Sequence, residues 1–536
     1  MAAADLLFTN VSAVTMDPAL PQAQALAVAG NRIVFVGSAA GGARWRGAQT
    51  RVIDGNGATL LPGFTDSHFH LQMGALQLRD LHLEQVHTLE ALAAAVRQYA
   101  QANPRRPWLF GQRLAYNITG DHRPLTRHHL DAIEAERPLV ILSADLHTAW
   151  ANSRALAQAG ILSGGPTPPG SEILMAGDGT ALGQLNEKGA FRQVTQLIPE
   201  APEEEKLALL RDAARLAAGY GLTSVHNMDG DAAQFARYAR LEERGELPLR
   251  IYAPYSVSPE TTAARFVEEA TALKALYQSD KVRLGAAKFF MDGVIESFTA
   301  LMVSPYANRP EVKAEGLFSL EHFTEMALLA DQMGLQIAVH AIGDGAVRRV
   351  LDGYAAVRRH NGPRDSRHRI EHIELLHPAD LPRFTELGVV ASMQPIHASR
   401  PNIGYFPYWL DCVRPEQYGD AFAWRTLLEQ GVPLTLGSDW PVTSLQVATG
   451  IEAAVNRTAW APGLRNQALT LLETLVGYTV TPAWVEFREH DKGRLRPGML
   501  ADLVLLDRDW LHADPAELGA LRPQMTVCDG AVTYAA

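Results

Sequence analysis

Between residues 222 and 441 the sequence repeats one alternation: a short apolar segment, then a stretch of helical character. The apolar segments are LTSVHNMD (222–229), LRIYAPYSV (249–257), VRLGAAKFFMDG (282–293), LQIAVHAIGD (335–344), HRIEHIELL (368–376), GVVASMQP (388–395) and VPLTLGSDWP (432–441). Helix-like runs such as SLEHFTEMALLADQMG and AWRTLLEQG separate most of them. Strands alternating with helices build βαβ units, whose strands run parallel. An earlier strand, TLLPGF (59–64) leading into TDSHFHLQ, brings the count to eight. Eight such units are the number in a TIM barrel, so the expected fold is α/β with a (β/α)8 barrel.

Two regions break the rhythm. The first sixty residues and the C-terminal end read as short strands between turn signals such as AGNR and DGNG. The expected organisation is therefore a barrel over 61–485 and a small β domain from both chain ends, 1–60 and 486–536. The stretch from about 75 to 215 is far longer than a βα connection needs and is read as an inserted subdomain.

Bulk properties remove several function classes. The net charge of −11 offers no broad basic face, so a nucleic-acid partner is not expected. No apolar run reaches the roughly 18 residues of a membrane span, and the N-terminus lacks the basic start of a secretory signal. Two cysteines, Cys412 and Cys528, cannot form a disulfide framework and fit a reducing compartment. The expectation is a cytoplasmic protein acting on a small molecule, a homodimer being unsurprising for such a barrel.

In a barrel the C-terminal strand ends converge on one mouth, where catalytic groups lie. His68 and His70 share one face of the first strand, because strand side chains alternate. His340, His372 and Asp439 end the fifth, sixth and eighth strands. Four imidazoles and a carboxylate form a ligand set for zinc or a similar divalent metal. Lys288 ends the fourth strand, and a cationic amine cannot ligate a metal. It either pairs with a carboxylate such as Asp292 or Glu296, or is converted to an anion.

The runs LLPGFTDSHFHL, SADLHTAWANSRAL, AAKFFMDGVIESFTA, IAVHAIGDGAV, RIEHIELL, LTLGSDWPV and KGRLRPGMLADLVLLD together resemble amidohydrolase family 3, the branch with N-substituted formamide deformylases. The resemblance implies a β-sandwich built from both chain ends beside the barrel. It also implies two metal ions, most often Zn2+, one held by His68, His70 and Asp439 and the other by His340 and His372. Lys288, carboxylated by carbon dioxide, would bridge them as a carbamate. A hydroxide on the metals would attack a carbonyl and cleave a C–N bond, in an amide, N-substituted formamide or carbamate-like group, with Asp439 moving the proton. His147, His226, Gln394, His397 and Trp440 are candidate substrate contacts. A mononuclear deaminase or esterase, or a non-catalytic metal-binding scaffold, are the alternatives on the same fold.

Overall fold

The computed structural model describes residues 3–116, 118–119, 124–143, 148–168, 171–398 and 406–536. Eight parallel strands form one sheet: β1 (Phe64–Phe69), β2 (Leu222–Asn227), β3 (Arg250–Ser256), β4 (Val282–Phe290), β5 (Gln336–Ala341), β6 (Arg369–His372), β7 (Val390–Met393) and β8 (Leu434–Leu436). Each pairs in parallel with the next along the chain, from β1 to β8. Most of their residues are buried on both faces, as strands wrapped by helices must be. This is the (β/α)8 barrel that the alternation predicts.

The barrel closes where β8 runs on toward β1. Asp439 N–H donates to His68 O at 2.7 Å, and His70 N–H donates to Trp440 O at 2.9 Å. Asp66, buried on β1, accepts from the backbone of both partners: His68 N at 3.1 Å and Ser438 N at 3.0 Å. Gly437 is steric in origin, since a Cβ there would lie 2.5 Å from His68 N and 2.7 Å from Asp66 Oδ1.

The two chain ends combine as the sequence suggests. One sheet runs Arg32–Gly37, Ala25–Ala29, Leu6–Thr9, Arg51–Asp54. The other interleaves both ends, with Thr59–Pro62 antiparallel to Leu503–Leu506. Leu26, Val28 and Ile33 of the first share a core with Leu60, Leu503 and Val527 of the second, which makes a sandwich.

Residues Ala75–Leu210 form a separate compact unit with a six-stranded mixed sheet of their own. Its two faces are filled by Leu92, Leu139 and Trp150 on one side and Val140, Ala149 and Leu185 on the other. Cys412 and Cys528 are both free and buried, and among the described residues no helix is long and apolar enough to cross a membrane.

Arg250, at the start of β3, ties the barrel to the C-terminal sheet. Its Nε and Nη2 donate to Asp502 at 2.8 and 3.1 Å, and Nη2 also reaches Asp529 at 2.9 Å. Both Arg250 and Asp502 are almost wholly buried. Arg250→Met strands the Asp502 carboxylate, and the expected loss is about 3–5 kcal/mol, read as a lower denaturant midpoint. Adding Asp502→Asn to that variant is expected to recover part of the loss.

Candidate metal centre

Asp439 stands at the middle of the site. Its Oδ1 lies 3.4 Å from His68 Nε2 and 3.3 Å from His70 Nε2. Its Oδ2 lies 3.6 Å from His397 Nε2. Two groups of donors follow, His68–His70–Asp439 and His372–His397–Asp439, each with its donor atoms within 4.8 Å of one another. The rings of His68 and His372 are 4.7 Å apart, and those of His340 and His372 4.5 Å. All five histidine and aspartate residues that the strand ends single out therefore meet at one mouth.

Backbone strain helps to gather them. Asp439 has φ 60° and His372 has φ 74°, a region that side chains other than glycine rarely adopt. Strict alternation would turn Glu371 and His372 to opposite faces of β6. The positive φ at the strand end releases His372 from that alternation. Strain of this kind concentrates at functional sites, where surrounding structure enforces it.

Electrostatics hold His68, His340 and Asp439 in ligand forms. Burial pushes His68 down to about 4 and His340 down to about 3, which keeps both imidazoles neutral. Burial opposes the charge on Asp439, yet His68, His70 and His397 outweigh it and hold the carboxyl well below its usual range. For His70 burial is likewise outweighed, by Asp229 and Asp439, and its pKa rises to about 9. A metal at Nε2 would take the place of that proton.

Lys288 forms neither of the ion pairs considered for it. Asp292 instead accepts the backbone N–H groups of Leu301, Ile342 and Gly343 at 2.9, 3.0 and 2.9 Å. Among the described residues, buried Lys288 Nζ has no hydrogen-bond partner, nor do His372 Nδ1 and His397 Nε2. An orphaned buried polar atom costs about 1–3 kcal/mol, so three on strand-end residues need an explanation. A divalent cation supplies one for the histidines: imidazole nitrogens and a carboxylate oxygen are its ordinary donors. The residues present fit the group.

The remaining sequence candidates fall in different places. His397 lies among the donors rather than at the pocket rim, with Nδ1 3.7 Å from Glu374, which Trp409 Nε1 holds at 2.8 Å. His340 turns Nε2 to Gly293 O at 3.2 Å. His226 is fully buried inside the barrel, its Nδ1 2.9 Å from Arg369 Nη1, a position that offers no surface to a substrate. Gln394 is buried and its Nε2 donates to Ser392 O, and Trp440 is buried against Phe69 with rings 5.0 Å apart. His147 lies outside the described residues. Sequence reasoning missed Asp229 and Glu371, which accept from His70 Nδ1 at 2.9 Å and His68 Nδ1 at 2.7 Å. The available signal was their position at strand ends, in HNMD and RIEH.

This constellation on a (β/α)8 barrel defines a metal-dependent hydrolase. The chain belongs to the amidohydrolase family, whose model matches residues 51–534. It is 31% identical to Protein LONG AFTER FAR-RED 3 of Arabidopsis thaliana, over 94% of this chain and 87% of that one. It is 28% identical to the N-substituted formamide deformylase of Arthrobacter pascens, over 99% of this chain and 98% of that one. Among solved structures, an uncharacterized metal-dependent hydrolase from Pyrococcus furiosus superposes with a TM-score of 0.76 at 25% identity, covering 95% of this chain and 99% of that one.

Because the seam has no room for a Cβ at position 437, Gly437→Ala must push β8 from β1 where His68 and Asp439 meet. The expected cost is about 1–3 kcal/mol in thermal unfolding, together with a lower metal content by elemental analysis.

Proposed function

We propose that this enzyme hydrolyses a C–N bond in a small amide, N-substituted formamide or carbamate-like molecule, using two divalent ions, zinc foremost. The observation that carries the reading is Asp439, one carboxylate within reach of both donor groups. His68, His70 and Asp439 would hold one ion, and His372 with His340 or His397 the other. The likeness to an N-substituted formamide deformylase over nearly the whole of both chains supports the formamide class.

Bound there, divalent metal supplies two things: acidification of a water molecule and polarisation of the substrate carbonyl. The chain's own groups do the rest. Asp439, kept ionised by its imidazole neighbours, accepts a proton at Oδ2 and returns it to the departing nitrogen. Lys288 cannot remain an ammonium beside cations. Addition of carbon dioxide to its free amine forms an N–C bond, releases one proton and leaves a two-oxygen anion. That anion answers the orphaned state of Nζ.

Elemental analysis of protein purified without chelator is expected to give about two ions per chain, and Lys288→Ala about one. Asp439→Asn is expected to lower kcat on N-substituted formamides by about 10²–10⁴-fold, followed by release of the amine. One ion per wild-type chain would favour the mononuclear reading and move deaminase and ester substrates forward. A chain that takes up no metal would overturn the hydrolytic mechanism and leave the scaffold.

A further inference from the structure

Beneath the two histidines the barrel interior holds a column of buried ions that hydrolysis does not use. Arg369 of β6 is fully buried and donates Nη1 to His226 Nδ1 at 2.9 Å and Nη2 to Ser392 Oγ at 2.6 Å. Its Nε and Nη2 hold both oxygens of Glu371, at 2.5 and 3.0 Å. Glu371 Oε2 then meets His68 Nδ1 at 2.7 Å. Below, His226 Nε2 faces Glu486 at 3.9 Å, and Glu486 pairs with Lys492, which donates to Ser224 Oγ. From the segment after the last barrel helix up to His68, the formal charges alternate: Lys492, Glu486, Arg369, Glu371.

Protons in this column have one arrangement. A guanidinium only donates, so His226 accepts at Nδ1; a carboxylate only accepts, so His68 donates at Nδ1. His68 therefore presents the bare Nε2 toward Asp439, and its ring cannot turn without breaking the Glu371 bond. Barrel interiors are ordinarily filled by branched aliphatic side chains. Buried ion pairs are no more stabilising than well-packed apolar groups, so stability alone gives no reason for this filling.

We propose that Glu371 is a positioning residue for the metal centre: clamped by Arg369, it fixes the tautomer and orientation of His68 and strengthens Nε2 as a ligand. The proposal rests on the metal reading above. Glu371→Asp keeps an anion for Arg369, so the fold survives, but withdraws the carboxylate from Nδ1 by about 1.5 Å, one C–C bond. Glu371→Gln keeps an acceptor for Nδ1 and removes the charge.

Full-length protein stripped of metal and titrated with Co2+ tests this, with the visible Co2+ spectrum and the melting temperature of the metal-free chain recorded alongside. The expected result is Co2+ affinity about 10–100-fold weaker in both variants, with shifted absorption bands, while metal-free Glu371→Asp melts close to wild type. Wild-type affinity and spectrum in both variants, whatever their melting temperatures, would reduce Glu371 to a structural ion and overturn the proposal. Wild-type protein that binds no Co2+ would instead overturn the metal reading, and this inference with it.

Discussion

Closure of the barrel between its last strand and its first is the constraint on which the site depends. Asp66 accepts N–H groups from both sides of that seam, and Asp439 N–H bonds back to His68 O. Two residues of the HFH run and the aspartate of SDW are thereby brought together by the seam's backbone hydrogen bonds and the Asp66 carboxylate. Burial of Asp66 disfavours its charge and raises its pKa to about 7, so the clamp exists because backbone donors compensate for lost water. Gly437 fits the same seam because a side chain there would occupy the space in which His68 and Asp66 approach β8.

Around that seam the chemistry is one of buried donors under strain. His372 and Asp439 adopt positive φ, and Lys288 Nζ, His372 Nδ1 and His397 Nε2 lack hydrogen-bond partners among the described residues. Such features would be expensive in an ordinary core, where nearly every buried polar atom is paired. At this mouth a cation bound to the imidazole nitrogens and the Asp439 carboxylate would compensate for the orphaned histidine atoms. The outer contacts of His68 and His70 run to Glu371 and Asp229, so each ring presents Nε2 toward the shared carboxylate. A family whose members are metal-dependent hydrolases provides the setting in which that arrangement has a use.

Strand periodicity made much of this legible. His68 and His70 could be placed on one face by counting, and His340, His372 and Asp439 at one mouth by knowing where barrel strands end. Lys288 was legible as an anomaly, a cation among prospective metal ligands. Asp229 and Glu371 were not, since Asp229 meets His70 only through the pairing of β1 with β2, and Glu371 of β6 meets His68 only once the barrel is closed. His397 was read as a substrate contact at the seventh strand end, and the turn after β7 brings it against Asp439. His226 shows the converse error of reach: lying on a barrel strand it looked available to substrate, yet its ring is buried against Tyr252 and Arg369.

Local alternation along the chain determined the barrel, the β character of both ends and the identities of the strand-end donors. These follow from period and residue type, which are properties of neighbouring positions. Tertiary structure decided which donors share the carboxylate, which carboxylates hold the outer faces of the imidazoles, and that Lys288 pairs with neither Asp292 nor Glu296. Those depend on distances between β1, β2, β6 and β8, and such distances are set by closure of the sheet rather than by any single segment.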